Sequence, residues 1–163
     1  MNRPRIYLDT SVINFIFAED APEKQEITID FFENFVKKNI YETFVSEFVI
    51  DELAQTPDPF QKASLLSILE TYPIEILELP RLDEVASLAQ AYIDNGVLPG
   101  NKYYDALHIA CCVTQNIDFL TSWNYKHLAN VNRERRIQLL NIQLRYNTPL
   151  RIITPTELTG YGA

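Results

Sequence analysis

Hydrophobic residues in this chain occur in short runs and in stripes with helical spacing. The short runs predict β-strands at residues 5–8, 42–45, 73–77, 118–121 and 150–154. The stripes predict helices at residues 12–17, 22–38, 47–53, 60–70, 82–93, 102–114 and 125–145, with a break near 130–132, and a helical turn at 155–158. Because strands and helices alternate, we expect an α/β fold with a parallel sheet of four to five strands and helices on both faces.

Residues that favour helix ends support several of these boundaries. Pro22 suits the first position of a helix, and Ser46 suits the N-cap of the helix that follows the second strand. Asn95 and Gly96 suit the end of the helix at 82–93.

Composition limits the class of protein. A chain of 163 residues that is 47% hydrophobic fits a single domain with a core of its own. No apolar run approaches the roughly 18 residues that a membrane-spanning helix needs, so we expect a soluble, cytoplasmic protein without a membrane partner. The adjacent Cys111 and Cys112 point in different directions on a helix, which predicts two free thiols in the core.

The charge is unevenly distributed. The net charge of -8 argues against simple electrostatic binding of nucleic acid. Residues 124–151, however, contain six cations and a single acid, which leaves a local charge of +5. This segment is either a solvated helix face or a cationic track beside an acidic pocket, and the second arrangement would suit a phosphodiester substrate.

Acidic residues interrupt three apolar segments that are far apart in sequence. These residues are Asp9, the Asp51 and Glu52 pair, and Asp105. A carboxylate held against a core must be paired, hydrogen-bonded or bound to a cation, because desolvating it alone costs several kcal/mol. If the three segments meet in the fold, they form a cation site.

Topology suggests where these residues lie. Ligand sites in open parallel sheets form at the carboxyl ends of the strands, where Asp9 follows the first strand and Ser122 and Asn124 follow the fourth. Asp105 falls in the first turn of its helix at the same edge. Glu52 lies near the end of a short helix and has the least certain placement. The oxygen-rich set favours Mg²⁺ or Mn²⁺, and the absence of HxxH and CxxC spacings argues against zinc.

Each of these residues also has a structural interpretation. Asp9 is a possible helix cap, and Asp105 is a possible ordinary acid in a first helical turn. Glu52 alone resembles a surface glutamate, whereas Asp51 is expected to face solvent. The two histidines, His108 and His127, are expected to be structural or surface residues.

Four segments together resemble the successive motifs of PIN-domain ribonucleases, most closely the VapC-like toxins of toxin-antitoxin pairs. These segments are Tyr7 to Ile13, Ser46 to Leu53, Tyr104 to Ala110 and Phe119 to Leu128. Their order and spacing make the resemblance specific, and it extends through residues 153–158. It implies a single PIN-like domain over residues 1–163.

The resemblance also implies a ligand set and the roles of neighbouring residues. Asp9, Glu52 and Asp105 would be catalytic residues that bind Mg²⁺ or Mn²⁺. Asn124 stands where the family commonly has a fourth acid, which leaves one or two metal ions possible, with one preferred. Three further residues are expected to contact the carboxylates or the substrate: Thr10, Ser122 and Lys126.

The implied function is metal-dependent hydrolysis of RNA, with a 5'-phosphate and a 3'-hydroxyl as product ends. The expected partners are an RNA substrate, an antitoxin protein and a second copy of the chain in a homodimer. Apolar residues at 15–17 and at Phe31, Phe32 and Phe35 are either core or interface, with core favoured. The alternative function is a non-catalytic PIN-fold module that binds RNA or protein. An aspartyl phosphotransferase is less favoured, because Ser11 replaces the second Asp that such enzymes need.

Overall fold

The computed structural model describes residues 2–124 and 130–160. Five short strands form one parallel sheet: β1 (Arg5–Leu8), β2 (Glu42–Val45), β3 (Ile74–Ile76), β4 (Phe119–Thr121) and β5 (Arg151–Ile153). Their order across the sheet is β3-β2-β1-β4-β5. This arrangement confirms the predicted α/β class and places β1 at the centre.

The register of the strands aligns their carboxyl ends. Leu8 at the end of β1 pairs with Thr121 at the end of β4. Tyr7 pairs with Phe44 on the other side of β1. The residues that follow β1 and β4 therefore leave the sheet side by side, as parallel pairing requires.

Eight α-helices connect and cover the strands within the described residues. They are α1 (Thr10–Asn14), α2 (Pro22–Phe31), α3 (Glu47–Ala54), α4 (Pro59–Thr71), α5 (Leu82–Asp94), α6 (Tyr103–Thr114), α7 (Val131–Gln143) and α8 (Pro155–Leu158). Short 3-10 turns at Phe15–Phe17 and Gly100–Lys102 lie beside α1 and α6. None of the described helices is long and apolar enough to cross a membrane.

The predicted helix at 22–38 is not a single α-helix. It changes at Phe32 to a π-helical segment, Phe32–Val36, in which Lys37 N donates to Phe32 O at 2.8 Å. Phe31 and Phe32 are both fully buried, with ring centroids 5.5 Å apart. The predicted core position of both rings is confirmed, whereas the π-helical segment after Phe31 was not predicted, because a hydrophobic stripe does not reveal a local change of helical period. Both rings belong to the core rather than to an exposed interface.

The last long helix, α7, begins at the break that the sequence predicted. Asn130 is the N-cap of α7, and its Oδ1 accepts hydrogen bonds from the backbone of Asn132 and Arg133. Residues 125–129, which the sequence assigned to the same helix, lie outside the described residues. The expected break near 130–132 is therefore the start of α7.

Helix α6 lies in the middle of the core. All eight residues from 106 to 113 are buried. They include Cys111 and Cys112, which are buried free thiols as expected. Because this helix is enclosed and begins at the carboxyl edge of the sheet, its first turn is held firmly in place.

Candidate functional site

Asp9 follows β1 and is only 3% exposed. Ser11 Oγ donates to its Oδ1 at 2.5 Å, and Ser122 Oγ donates to its Oδ2 at 2.6 Å. Asp9 occupies the N-cap position of α1, but its side chain makes no capping hydrogen bond there. Burial raises the pKa of Asp9, and the two serine hydroxyls oppose that rise.

The two serines are themselves held by the chain that leaves β4. Trp123 N donates to Ser11 Oγ at 3.0 Å, and Asn124 N donates to Ser122 Oγ at 2.9 Å. Each serine hydroxyl therefore accepts a hydrogen bond from a backbone N–H and donates one to Asp9. This arrangement fixes the carboxylate between the ends of β1 and β4.

Glu52 lies in the last turn of α3, whose N-cap is Ser46 as predicted. Its Oε1 accepts a hydrogen bond from Thr10 Oγ1 at 2.7 Å and lies 2.5 Å from His108 Nε2. Burial by itself would raise the pKa of Glu52, but His108 and Thr10 together lower it. Asp51 is exposed, which agrees with the expected division of roles between the two acids.

Asp105 lies in the first turn of α6, within hydrogen-bond reach of Asn124. Asn124 Nδ2 donates to its Oδ2 at 3.3 Å. Burial raises the pKa of Asp105 to about 6, and the charges of Asp9 and Glu52 add to the rise, whereas His108 and Lys102 lower it. The three carboxylates are thus close enough to repel one another, as expected for a site that attracts a cation.

Sequence reasoning missed three residues of this constellation: Tyr7, Ser11 and His108. Tyr7 OH lies 2.6 Å from His108 Nδ1, and the two rings are in contact. Two spacings could have revealed them. Tyr7 is two residues before Asp9, which continues the extended backbone after β1, and His108 is three residues after Asp105 on the same helix, so each shares a face with a predicted acid.

A cavity of about 270 Å³ lies beside the carboxylates. Its lining consists of Glu52, Asn101, Lys102, Tyr103, Tyr104, Asp105 and Asn124. A larger groove of about 850 Å³ lies at the opposite edge of the sheet and includes Asp118. Asp118 Oδ2 accepts the backbone hydrogen of Arg5 at 2.8 Å there, so it cannot take the place of Asn124 in the site.

The chemistry of the donor set suits a hard divalent cation. Asp9, Glu52 and Asp105 offer carboxylate oxygens, and Asn124 offers a carboxamide. Within residues 2–124 and 130–160, no three carboxylate, imidazole or thiolate side chains are arranged to hold one ion between them. Mg²⁺ usually binds through one or two carboxylates and keeps several waters, so this arrangement fits an ion with few direct protein ligands.

Part of the predicted site lies outside the described residues. Lys126 and His127 belong to 125–129, so the predicted substrate contact of Lys126 stays a prediction. The described cations of the basic segment lie on and after α7, where Arg136 Nη2 donates to Gly96 O at 2.8 Å. Gly96 belongs to the loop between α5 and α6, so this bond brings α7 to the loop that precedes Asp105.

The sequence matches the PIN domain family over residues 6–134. This chain belongs to the PIN domain family. The match includes all four residues of the predicted catalytic set, which the fold brings to one edge of the sheet. The predicted family membership is confirmed, and it places the chain at family level among nucleases.

A solved structure shares the fold of this PIN domain. It is the VapBC2 complex from Rickettsia felis, bound to a DNA fragment from the VapBC2 promoter. One of its chains superposes with a TM-score of 0.54 and 17% sequence identity, covering 91% of this chain and 98% of that one. No curated protein matches the sequence. At this identity the likeness concerns the fold alone.

Proposed function

We propose that this PIN domain is an endoribonuclease that uses Mg²⁺ or Mn²⁺ and acts as the toxin of a toxin-antitoxin pair. One observation carries the proposal. Three carboxylates from β1, α3 and α6 converge at the carboxyl edge of the sheet, and their mutual repulsion contributes to raising the pKa of Asp105. A divalent cation would relieve that repulsion. It would also suit the hydrolysis of a phosphodiester, because it activates water and stabilises charge on phosphate oxygens.

Asp9 and Asp105 are the proposed direct ligands of the ion. Glu52 would hold a water on the ion or the water that attacks the phosphate. When bound, the ion would lower the pKa of that water and offset negative charge on the phosphate oxygens. Asn124 would complete the ligand set without adding charge, which favours a single ion.

The chain's own residues would prepare this chemistry. Ser11 and Ser122 fix both oxygens of Asp9, and Thr10 fixes Glu52. The cavity beside the carboxylates contains Lys102, whose charge would attract the phosphodiester backbone. The cations of α7 would extend this attraction along the strand of RNA, although the whole chain is acidic.

Partners and location follow from the same proposal. The neighbour from Rickettsia felis is a VapBC complex, which supports an antitoxin as the partner of this chain. A homodimer would bring two sites along one RNA strand, and a cytoplasmic location would give access to RNA.

The proposal is tested by incubating RNA with the purified protein in Mn²⁺ and in chelator. Cleavage should require the metal and should disappear in Asp9→Asn. The matched control is Asp51→Asn, which removes an exposed carboxylate next to Glu52 and should leave cleavage intact. Equal cleavage by wild type and Asp9→Asn would contradict the proposal. A folded protein that neither cleaves RNA nor binds Mn²⁺ would support the non-catalytic binding module instead.

A further inference from the structure

A chain of hydrogen bonds runs from the start of α3 to its end through two other elements. Ser46 Oγ lies 2.6 Å from Tyr7 OH, and Tyr7 OH lies 2.6 Å from His108 Nδ1. His108 Nε2 then lies 2.5 Å from Glu52 Oε1. These hydrogen bonds connect Ser46, the N-cap of α3, to Glu52 in the last turn of α3 by way of β1 and α6.

The direction of each bond follows from the groups involved. An ionised carboxylate only accepts hydrogen bonds, so His108 must donate through Nε2–H to Glu52. In a neutral imidazole the other nitrogen is then an acceptor, so Tyr7 must donate its hydroxyl hydrogen to Nδ1. Tyr7 has then used its only hydroxyl hydrogen, so Ser46 must donate to Tyr7. The Ser46 oxygen also accepts a hydrogen bond from Phe48 N at 3.2 Å.

Burial makes this arrangement specific. Tyr7 and Ser46 have no exposed surface, and His108 is 1% exposed. Without water as an alternative partner, a reversed tautomer of His108 would leave a carboxylate facing an imidazole nitrogen that carries no hydrogen. The Glu52 carboxylate therefore requires the Nε2–H tautomer, and the Tyr7 hydroxyl stabilises it by donating to Nδ1.

The hydrogen bonds also distinguish the two oxygens of Glu52. Both hydrogen bonds that Glu52 makes with described residues, from His108 and from Thr10, end on Oε1. Oε1 has one lone pair for each of these donors. Oε2 is then the oxygen left for a metal ion or for its water.

We propose that His108 is a positioning residue, held by Tyr7 as the Nε2–H tautomer, which fixes Glu52 so that Oε2 serves the metal and the attacking water. This assignment rests on the proposed function for its consequence but not for its geometry. Histidines that donate to a site carboxylate act in the same way as other outer partners of metal ligands, whose loss weakens binding or activity about 10- to 100-fold.

The tautomer is measured directly by the nitrogen-15 chemical shifts of the neutral imidazole ring. The chain has only two histidines, so the His108 signals are assigned by their loss in His108→Gln. We expect hydrogen on Nε2 and none on Nδ1. Hydrogen on Nδ1 would overturn the proposal, because Glu52 would then lack its donor.

Four variants separate positioning from general stability. Tyr7→Phe removes the hydroxyl that holds Nδ1 of His108, and His108→Asn is too short to reach Glu52. His108→Gln keeps an N–H donor near the position of Nε2. Tyr92→Phe is the matched control, because Tyr92 is equally buried and loses a hydrogen bond to Asn141 away from the site.

The readouts are the Mn²⁺ dissociation constant and the single-turnover rate of RNA cleavage at saturating Mn²⁺. Tyr7→Phe and His108→Asn should lose about tenfold or more in one or both, whereas His108→Gln should recover part of the loss seen in His108→Asn, and Tyr92→Phe should stay close to wild type. Equal values in all four variants would overturn the proposal. So would a loss in Tyr92→Phe as large as that in Tyr7→Phe, since it would reflect general destabilisation.

These results remain separable from those that test the proposed function. If the wild-type protein neither binds Mn²⁺ nor cleaves RNA, the nuclease proposal fails, and the tautomer of His108 still decides whether Tyr7 and His108 hold Glu52 as described.

Discussion

Ser122 and Asp9 lie 113 residues apart in the chain, yet Ser122 Oγ donates to Asp9 Oδ2 at 2.6 Å. The pairing of β1 with β4 makes this contact possible, because Leu8 and Thr121 are opposite each other and the next residue of each strand enters the site. A serine in this position stabilises a buried charge that the core alone would not tolerate.

Two neighbouring residues, Thr121 at the end of β4 and Ser122 after it, should therefore respond differently to substitution. Ser122→Ala removes a donor to a carboxylate and should lower the free energy of unfolding by about 1.5 to 3 kcal/mol. Thr121→Val replaces a buried hydroxyl that has no hydrogen-bond partner among the described residues, so stability should be unchanged or increased. Urea denaturation of both variants at neutral pH, with chelator present, measures the difference.

The same pair tests whether Ser122 matters to the site. Mn²⁺ affinity should fall about tenfold in Ser122→Ala and stay unchanged in Thr121→Val. Equal affinities in the two variants would show that Asp9 does not need this hydroxyl to bind metal.

Asp105 should make the metal-free protein less stable as pH rises. Its pKa is raised from 3.8 to about 6 in the folded state, so the folded protein holds this proton more tightly than the unfolded chain does. The contribution of Asp105 to the free energy of unfolding therefore decreases between about pH 4 and pH 6 and stays low above that range. Asp9, whose pKa is also raised, acts in the same direction, whereas the lowered pKa of Glu52 acts in the opposite direction.

Asp105→Asn isolates this contribution. Its stability relative to wild type in chelator should increase through the same pH range and then level off, reaching about 1 to 2 kcal/mol after allowance for partial solvent screening. Urea denaturation from about pH 4 to pH 8 measures the difference. Parallel curves for the two proteins would show that the Asp105 carboxylate is not destabilised in the fold.

Asn124→Asp tests the departure from the family pattern. The substitution replaces the amide that donates to Asp105 Oδ2 with a second carboxylate. We expect a lower melting temperature in chelator, because the two carboxylates repel each other, and tighter Mn²⁺ binding, because the ion gains a charged ligand. Thermal melts with Mn²⁺ and with chelator measure both effects. A variant that matches wild type in both conditions would place Asn124 outside the ligand set.

Thr28 holds the side chain of Trp123, the residue between Ser122 and Asn124. Trp123 Nε1 donates to Thr28 Oγ1 at 2.8 Å, and both residues are buried. Thr28→Val keeps the side-chain volume but leaves the indole N–H without this acceptor, which should cost about 1 to 3 kcal/mol. At this chain length, each kcal/mol lowers the melting temperature by about 2 to 4 °C.

Fluorescence of Trp123, the only tryptophan of the chain, reports this unfolding. The control is Thr71→Val, whose hydroxyl bonds to Ser67 O on the exposed end of α4 and should change stability by less than about 0.5 kcal/mol. Equal melting temperatures for the two variants would show that the buried hydrogen bond contributes nothing measurable.

Sequence reasoning was most successful where a local pattern has one physical cause. Short apolar runs predicted all five strands, and the acids that interrupt apolar segments were recognised because a buried charge needs a partner. The reasoning was less successful at Phe32–Val36, where it did not predict the π-helical segment. It also treated His108 as a structural or surface histidine, although His108 shares a helix face with Asp105, because the spacing alone does not show that its ring reaches Glu52.

The sequence by itself determined the alternation of strands and helices, the parallel sheet, and the edge at which Asp9 and Ser122 would lie. These follow from periodicity and from the rule that parallel strands end at the same edge. Only the tertiary structure decided that Glu52 reaches Thr10 and His108, and that Tyr7 lies against the other ring nitrogen of His108. Such contacts join residues up to 101 positions apart, and their partners are set by how β1, α3 and α6 pack together, which no local pattern encodes.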